Sequence, residues 1–352
     1  MQQAQLEVAA ALELLTLSEF ETRARQTLPT PIWDYVDGGS GSETTLRRNR
    51  RAIDRLAIEQ RILVDVREID LGTQLLGVPM ASPVIVAPVG GLFRIHPGGD
   101  PEMARGCGQT GTPMTVSGVA GFPLEEIATA ASAPLVFQIY HHGDQDWARE
   151  WLGRVQRAGY QLICLTVDTP VYSRRERDLR NRYAARTRRE GSIIHPDPLY
   201  PARLTWSDVR FLRTIIDVPF GLKGVLHPAD AARCVQEGLD FIWVSNHGGR
   251  QLDDTRATID ALVEIAAATG GRVPLVVDGG FRRGTDVVKA LALGATAVAL
   301  GRLPVWGLAA GGAVGVTQAL SILAEEIRLA LAMAGKTSVR DLSRDMVRTV
   351  DY

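Results

Sequence analysis

From residue 83 onward the chain alternates short, unbroken apolar runs with amphipathic stretches, eight of each. The runs cover 83–87, 113–116, 135–140, 162–167, 219–223, 241–245, 275–278 and 297–300. A strand that is apolar at every position is buried on both faces, as in a parallel sheet covered on each side. The stretches between them (100–110, 124–131, 145–158, 205–215, 228–237, 258–268, 284–293 and 315–334) carry helical periodicity. Eight strands, each followed by a helix, predict a (β/α)8 TIM barrel, and the span 83–334 matches the roughly 250 residues typical of one. A doubly wound open sheet is the competing topology. Its usual mark is GxGxxG after the first strand, whereas here that strand ends in Ala87-Pro-Val-Gly-Gly-Leu-Phe.

Residues 1–82 read as a helical collar packed on the barrel. Thr16 and Glu19 are spaced as a capping box, with apolar Leu17, Phe20 and Ala24 on one face. Gly38, Gly39 and Gly41 then turn the chain into a second helix around 42–56. The expected organisation is a collar (1–82) and a barrel with its tail (83–352), together one structural domain.

Composition narrows the partners. Net charge is −1, and 45% of residues are hydrophobic against 22% charged, so the chain can fill a large core. No basic run interleaved with aromatics suggests nucleic-acid binding. Cys107, Cys164 and Cys234 include no CxxC pair, which argues against a disulfide framework or a metal site and fits a reducing compartment. The N-terminus has no basic region before its apolar residues, and Glu7 and Glu13 interrupt them, so no signal peptide is expected. The most apolar stretch, 290–316, is broken by Arg302, Pro304 and several glycines, which argues against a membrane span. A cytoplasmic protein is the expectation. Among 39 Lys and Arg, only Lys223, Lys289 and Lys336 are lysines, a bias that base composition explains.

Barrel enzymes carry their chemistry at the C-terminal strand ends. The polar residues there are Ser117, Gln138, Tyr140, Thr166, Asp168, Lys223, Ser245, His247, Arg250, Asp278, Arg282 and Arg302. After the seventh and eighth runs, Asp278-Gly-Gly-Phe-Arg-Arg-Gly284 and Gly301-Arg302 set glycine beside arginine, as a phosphate site requires; tight turns with surface arginines are the plainer reading. After the sixth, Ser245-Asn-His-Gly-Gly-Arg-Gln-Leu-Asp253 can aim an imidazole base and a guanidinium into one pocket. Lys223 closes the fifth run, where a buried ammonium needs an anionic partner. The remaining histidines, His96, His141, His142, His195 and His227, read as structural or surface residues.

The strings SNHGGRQLD (245–253), DGGFRRGTD (278–286) and LTVDTP (165–170) resemble the FMN-dependent α-hydroxy-acid oxidases and dehydrogenases, in consistent order from about Thr16 to the C-terminus. The resemblance extends to glycolate oxidase, lactate oxidase, mandelate dehydrogenase and hydroxymandelate oxidase-like members. It implies oxidation of an L-2-hydroxy acid to the 2-oxo acid, with O2 or another electron acceptor as the second substrate. In that pattern His247 corresponds to the base that takes the substrate proton as two electrons pass to the flavin, and Asp168 to the carboxylate stabilising the protonated imidazole. Arg250, Arg175 and Tyr35 correspond to groups around the substrate carboxylate, and Tyr140 to the one facing its hydroxyl. Lys223 corresponds to the lysine beside the flavin N1/C2 carbonyl. FMN is then expected against Pro88, Val89, Gly90, Ser117, Gln138, Tyr140, Thr166 and Ser245. Its phosphate is expected on Asp278, Gly279, Gly280, Phe281 and Arg282 and on Gly301 and Arg302. A homo-oligomer, tetramer or octamer, follows by the same analogy, as does a soluble rather than membrane-bound member.

Three departures from the pattern matter. Val119 replaces the tryptophan of glycolate oxidase's substrate pocket, which leaves room for a bulky or aromatic, mandelate-like side chain. Gly90 stands where most members carry alanine beside the flavin. The stretch between Tyr183 and Thr205 is short, with a charged 186–190 segment where membrane-bound members have an apolar insertion. Two other readings stay open: an FMN-dependent isomerase, and a pathway-specific oxidase of a larger hydroxy-acid compound.

Overall fold

The computed structural model describes residues 13–183, 197 and 199–350. Most of the N-terminal segment read for a signal peptide, and nearly all of the 184–204 loop up to residue 198, lie outside the described residues. In chain order the strands are β1 (Leu56–Ile58), β2 (Thr73–Leu75), β3 (Val78–Met80), β4 (Val84–Val86), β5 (Met114–Ser117) and β6 (Leu135–Ile139). They continue as β7 (Leu162–Thr166), β8 (Phe220–Val225), β9 (Phe241–Val244), β10 (Leu275–Val277), β11 (Ala297–Leu300) and β12 (Val347–Thr349). Strands β4 to β11 run parallel in chain order and close where Val298 pairs with Val84, so the sheet is a TIM barrel and not an open one.

Each barrel strand divides its side chains between two cores, which is why the runs carry no polar alternation. Ile85, Val136, Cys164, Trp243, Val276 and Ala299 fill the interior, while Val84, Val86, Phe137, Ile163 and Ile242 pack outward against the helices. Strand side chains repeat every two residues, so each interior position leads to another two residues nearer the C-terminal mouth. From Thr115, Val136, Cys164, Gly221, Trp243 and Val276 that step reaches Ser117, Gln138, Thr166, Lys223, Ser245 and Asp278. The apolar barrel core thus ends in a polar layer at one end only.

At the other end the hairpin β2–β3 inserts Leu75, Val78 and Met80 into the same interior cluster. Leu76 and Gly77 both have positive φ (51° and 83°), the conformation a two-residue hairpin turn needs.

Two expectations about elements need correction. Among the described residues the leading segment is helical through Leu17–Thr27, Thr30–Asp37 and Thr44–Asp54, while residues 55–82 hold β1, irregular chain and the hairpin. Gly72, Gly77 and Pro79 make that stretch a poor helix, and β1 pairs antiparallel with β12 from the tail. The last barrel helix also starts earlier than periodicity indicates. Helical chain begins at Arg302, directly after β11, and breaks at the non-helical Gly311 and Gly312; the piece that follows, ending at Met333, is the one the periodicity indicates. Although Arg302–Met333 as a whole is long and apolar enough to cross a membrane, half of its apolar window is buried, and it packs on the Gly99–Gln109 and Leu17–Thr27 helices. The capping box at Thr16 forms as read, with the backbone N–H of Thr16 donating to Glu19 Oε2 at 2.7 Å.

Candidate active site

The polar layer opens into a cavity of about 730 Å³ roofed by the collar. Of the residues singled out from the sequence, Tyr35, Pro88, Val89, Gly90, Ser117, Val119, Tyr140, Thr166, Arg175, Lys223, His247 and Arg250 line it. So do Asp278, Gly279, Gly280, Phe281, Arg282, Gly301 and Arg302. Three stand behind the wall. Asp168 backs His247, Gln138 accepts from Ser117 Oγ at 3.1 Å, and Ser245 bridges Lys223 and Asp278.

His247 sits in the left-handed region (φ 59°), followed by Gly248 (64°) and Gly249 (76°). Such a conformation is rare for a residue bearing a Cβ and persists where surrounding contacts enforce it. Its backbone N–H donates to Ser245 Oγ at 3.0 Å, and its ring Nδ1–H donates to Asp168 Oδ1 at 2.9 Å. Burial is the largest influence on the imidazole and holds its pKa below the ordinary value, although Asp168 pulls the other way. For Asp168, burial is again the largest influence and favours the neutral acid. The adjacent His247, with Lys223 and Thr169, outweighs it and keeps the carboxyl below its usual range. A neutral imidazole beside a carboxylate leaves Nε2 with a free lone pair, which is the protonation state of a general base.

Around that ring lie groups suited to a small carboxylate. Arg250 donates to Gly38 O at 2.8 Å and stacks over the Tyr35 ring at 5.1 Å. Burial, with Arg175 and Arg302 nearby, pushes its pKa down to about 9. A cation so placed gains most from an incoming anion. Arg175 is buried, donates to Ser173 Oγ and Arg250 O at 3.3 Å each, and stacks over Tyr172 at 4.7 Å. Tyr140 keeps its proton, because burial and the Asp168 charge both raise its pKa. Tyr35 Oη donates to Gly90 O at 3.2 Å.

The other half of the cavity offers free polar atoms, close-packed glycines and arginines, a combination suited to a ligand carrying an anionic group such as a phosphate. Gln138 Nε2, Thr166 Oγ1 and Arg302 Nε are buried polar atoms without a hydrogen-bond partner among the described residues. Gly279 (φ 107°) and Gly280 (φ 91°) lie against the collar, where a Cβ on Gly280 would come 3.0 Å from the Asn49 backbone carbon. Only glycine, at these positive φ values, lets the loop and the collar helix approach so closely. Arg282 and Arg302 supply positive charge there; the first pairs with Glu21 at 3.2 Å and the second donates to Gly38 O at 3.0 Å.

One expected contact needs correction. The Asp278 side chain does not face the phosphate end. It accepts from Trp243 Nε1 at 2.9 Å and from Ser245 Oγ at 2.7 Å, and it pairs with Lys223 Nζ at 3.2 Å. A carboxylate beside a phosphate would repel it; turned inward, it keeps Lys223 charged against the burial that would otherwise discharge it.

Sequence reasoning missed the polar joints that hold the collar to the loops. Asn49 and Asn246 exchange two amide hydrogen bonds, 2.9 and 2.7 Å, and Asn246 Oδ1 also accepts from Gly249 N. Asp253 Oδ1 accepts from Thr45 N at 2.8 Å, capping the Thr44–Asp54 helix from the far end of the His247 loop. Arg50 bridges Asp286 and Gly280 O. Asn246 and Asp253 stood inside the string already quoted and could have been found; Asn49 and Arg50 carried no local signal. Among the described residues no cluster of His, Cys, Asp or Glu could hold a metal, and the three cysteines are free and buried.

A sequence profile of the FMN-dependent dehydrogenase family matches residues 24–349. The chain is 37% identical to a peroxisomal (S)-2-hydroxyacid oxidase of Arabidopsis thaliana, over 96% of this chain and 97% of that one. It is 40% identical to an L-lactate oxidase of a Nostoc species, over 93% and 96% of the two chains. Among solved structures, a mandelate oxidase crystallised with 3,3-difluoro-2-hydroxy-3-phenylpropionic acid superposes with a TM-score of 0.89 at 39% identity, covering 96% of this chain and 99% of that one.

Proposed function

The chain belongs to the FMN-dependent dehydrogenase family, and from that premise we propose that it oxidises an L-2-hydroxy acid with a bulky or aromatic side chain to the 2-oxo acid, O2 being the final acceptor. Bound in this cradle, FMN supplies the two-electron acceptor. Lys223, Thr166 and Gln138 would hold its ring, and residues 279–282 with Arg302 would hold its phosphate.

The chain's own residues do the rest. Arg250, Arg175 and Tyr35 hold the substrate carboxylate and so fix which face of the α-carbon meets the cofactor. His247 Nε2 accepts a substrate proton, and Asp168 stabilises the imidazolium that results. Tyr140, kept protonated, donates to the substrate hydroxyl oxygen. The observation carrying this reading is the His247–Asp168 pair facing Arg250 and the buried Arg175 across one cavity.

The bulky side chain rests on Val119, which is 40% exposed on the cavity wall, and on the mandelate oxidase likeness. O2 as acceptor rests on the relatives being oxidases. The test is anaerobic addition of mandelate, lactate and glycolate to the FMN-loaded protein, followed at the flavin absorbance. Bleaching by one equivalent per site with mandelate as the best substrate is expected. If glycolate were best by far, the side-chain assignment would fail; no bleaching by any of the three would overturn the reaction. Peroxide release in air then tests the acceptor.

A further inference from the structure

The helix that delivers Tyr35 carries an unbalanced charge. Asp34 and Asp37 stand in the last turn of Thr30–Asp37, at the negative end of its dipole, and that turn has no basic residue of its own. The cation comes from another element. Arg177, in the short Glu176–Arg180 helix, reaches Glu43 Oε2 at 2.6 Å, Asp37 Oδ2 at 3.2 Å and Asp34 Oδ1 at 3.6 Å. Asn181 Nδ2, just beyond that helix, donates to Asp34 Oδ2 at 2.7 Å. The four charged side chains are 17–29% exposed, so solvent screens the cluster only in part.

The collar turn held by these acids presents its carbonyls to the arginines of the cavity. Arg250 Nη1 donates to Gly38 O at 2.8 Å and to Val36 O at 3.3 Å, and Arg302 Nη2 donates to the same Gly38 O at 3.0 Å. One carbonyl thus seats both the arginine of the carboxylate side and the arginine of the phosphate end. Glu43 braces the turn by accepting from Gly39 N at 3.0 Å. The Arg177 stem lies against it as well, since a Cβ on Gly38 would come 3.2 Å from Arg177 Cδ. Both terminal nitrogens of Arg177 are committed to carboxylates, so this guanidinium is not the one offered to an incoming anion.

We propose that Arg177 is a positioning residue for both anion sites: by gathering Asp34, Asp37 and Glu43 it fixes the turn whose carbonyls aim Arg250 at the substrate carboxylate and Arg302 at the cofactor phosphate. This deepens the functional reading above and rests on it for the identity of the two anions. A residue that merely fastened the collar would behave differently. Its loss would lower stability without singling out the charged part of either ligand.

The experiment compares the full-length wild type with Arg177→Gln and Arg177→Lys. The first quantity read is the ratio of the dissociation constants of FMN and riboflavin, which differ by the phosphate alone. The second is the dissociation constant of benzoylformate against that of its uncharged amide, in protein loaded with FMN. Arg177→Gln is expected to weaken FMN relative to riboflavin, and benzoylformate relative to the amide, each about 10-fold or more, the scale of hydrogen bonds to charged groups. Arg177→Lys, which keeps the cation among the carboxylates, should recover part of both losses. In an Arg302→Met background the effect of Arg177→Gln on the FMN-to-riboflavin ratio should vanish, because residues acting through one another are not additive. A fall in Tm with both ratios unchanged would overturn the proposal, as would an undiminished effect in the Arg302→Met background. If Arg177→Gln does not fold, Arg177→Lys decides by the same two ratios; failure of both to fold would overturn it. Should wild-type protein bind neither benzoylformate nor the amide, the substrate reading fails by itself and the FMN-to-riboflavin arm still decides.

Discussion

His247 Nδ1 lies 2.9 Å from Asp168 Oδ1, and this one contact decides which nitrogen of the ring is free to act. The carboxylate accepts a hydrogen bond from Nδ1–H, which keeps the proton on that nitrogen, so Nε2 carries the lone pair. Because Asp168 lies behind the ring, the imidazole is held by a residue that need not touch the substrate at all.

Asp168→Asn keeps the shape but offers no negative charge to the imidazolium formed during reaction. A fall in kcat of about 10²-fold or more is expected, the scale of a lost acid–base contribution, with FMN still bound. Steady-state kinetics and the bound-flavin spectrum check it.

The pH profile carries a sign. Burial sets the His247 pKa below about 6.5, and only the neutral ring can accept a proton. The acid limb of kcat/KM should therefore fall below pH 6.5 and not near 7. Asp168 works to raise that pKa, so in Asp168→Asn the limb should move to still lower pH while the plateau drops. A limb that moved upward would contradict the pairing.

Arg250→Lys keeps a charge but loses the planar fork. Its carboxylate contact should weaken, raising KM about 10-fold or more with a smaller change in kcat. A panel of substrates should all show the effect, since every 2-hydroxy acid presents the same carboxylate.

Lys223→Met leaves Asp278 buried without its cation, each side chain of the wild-type pair being less than 10% exposed. Breaking one side of such a pair costs about 3–5 kcal/mol, so a large drop in Tm is expected, together with weaker FMN binding. The double variant with Asp278→Asn should recover much of the stability and none of the activity. Denaturant unfolding separates the two effects.

Asn49→Ala removes one half of the amide pair that ties the collar to the His247 loop. It should cost about 1–3 kcal/mol, the penalty for stranding a buried amide, and should lower kcat although Asn49 touches neither reacting group. Recovery by Asn49→Gln would argue against the reciprocal geometry.

How much of this was legible in the sequence follows from range. A buried parallel strand is written locally, as an unbroken apolar run, and all eight barrel strands fall where such runs stand. Strand ends were legible for the same reason, which is why His247, Lys223 and Arg250 could be placed in one mouth. Side-chain direction at those ends was not. Whether Asp278 turns toward the phosphate end or toward Lys223 depends on Trp243 and Ser245 on the neighbouring strand. The Asn49–Asn246 and Thr45–Asp253 joints link residues about 200 positions apart, and no periodicity marks them. Likewise, Val119 was legible as a small residue, but its contact with Gly90 exists only once β4 and β5 lie side by side.

The central claim is that His247, held by Asp168, is the base that starts oxidation of a 2-hydroxy acid. The most direct measurement is the anaerobic single-turnover rate of flavin bleaching by mandelate in His247→Ala, in protein confirmed to hold FMN. A rate about 10⁴-fold below wild type, or no bleaching, is predicted. Bleaching at the wild-type rate would contradict it.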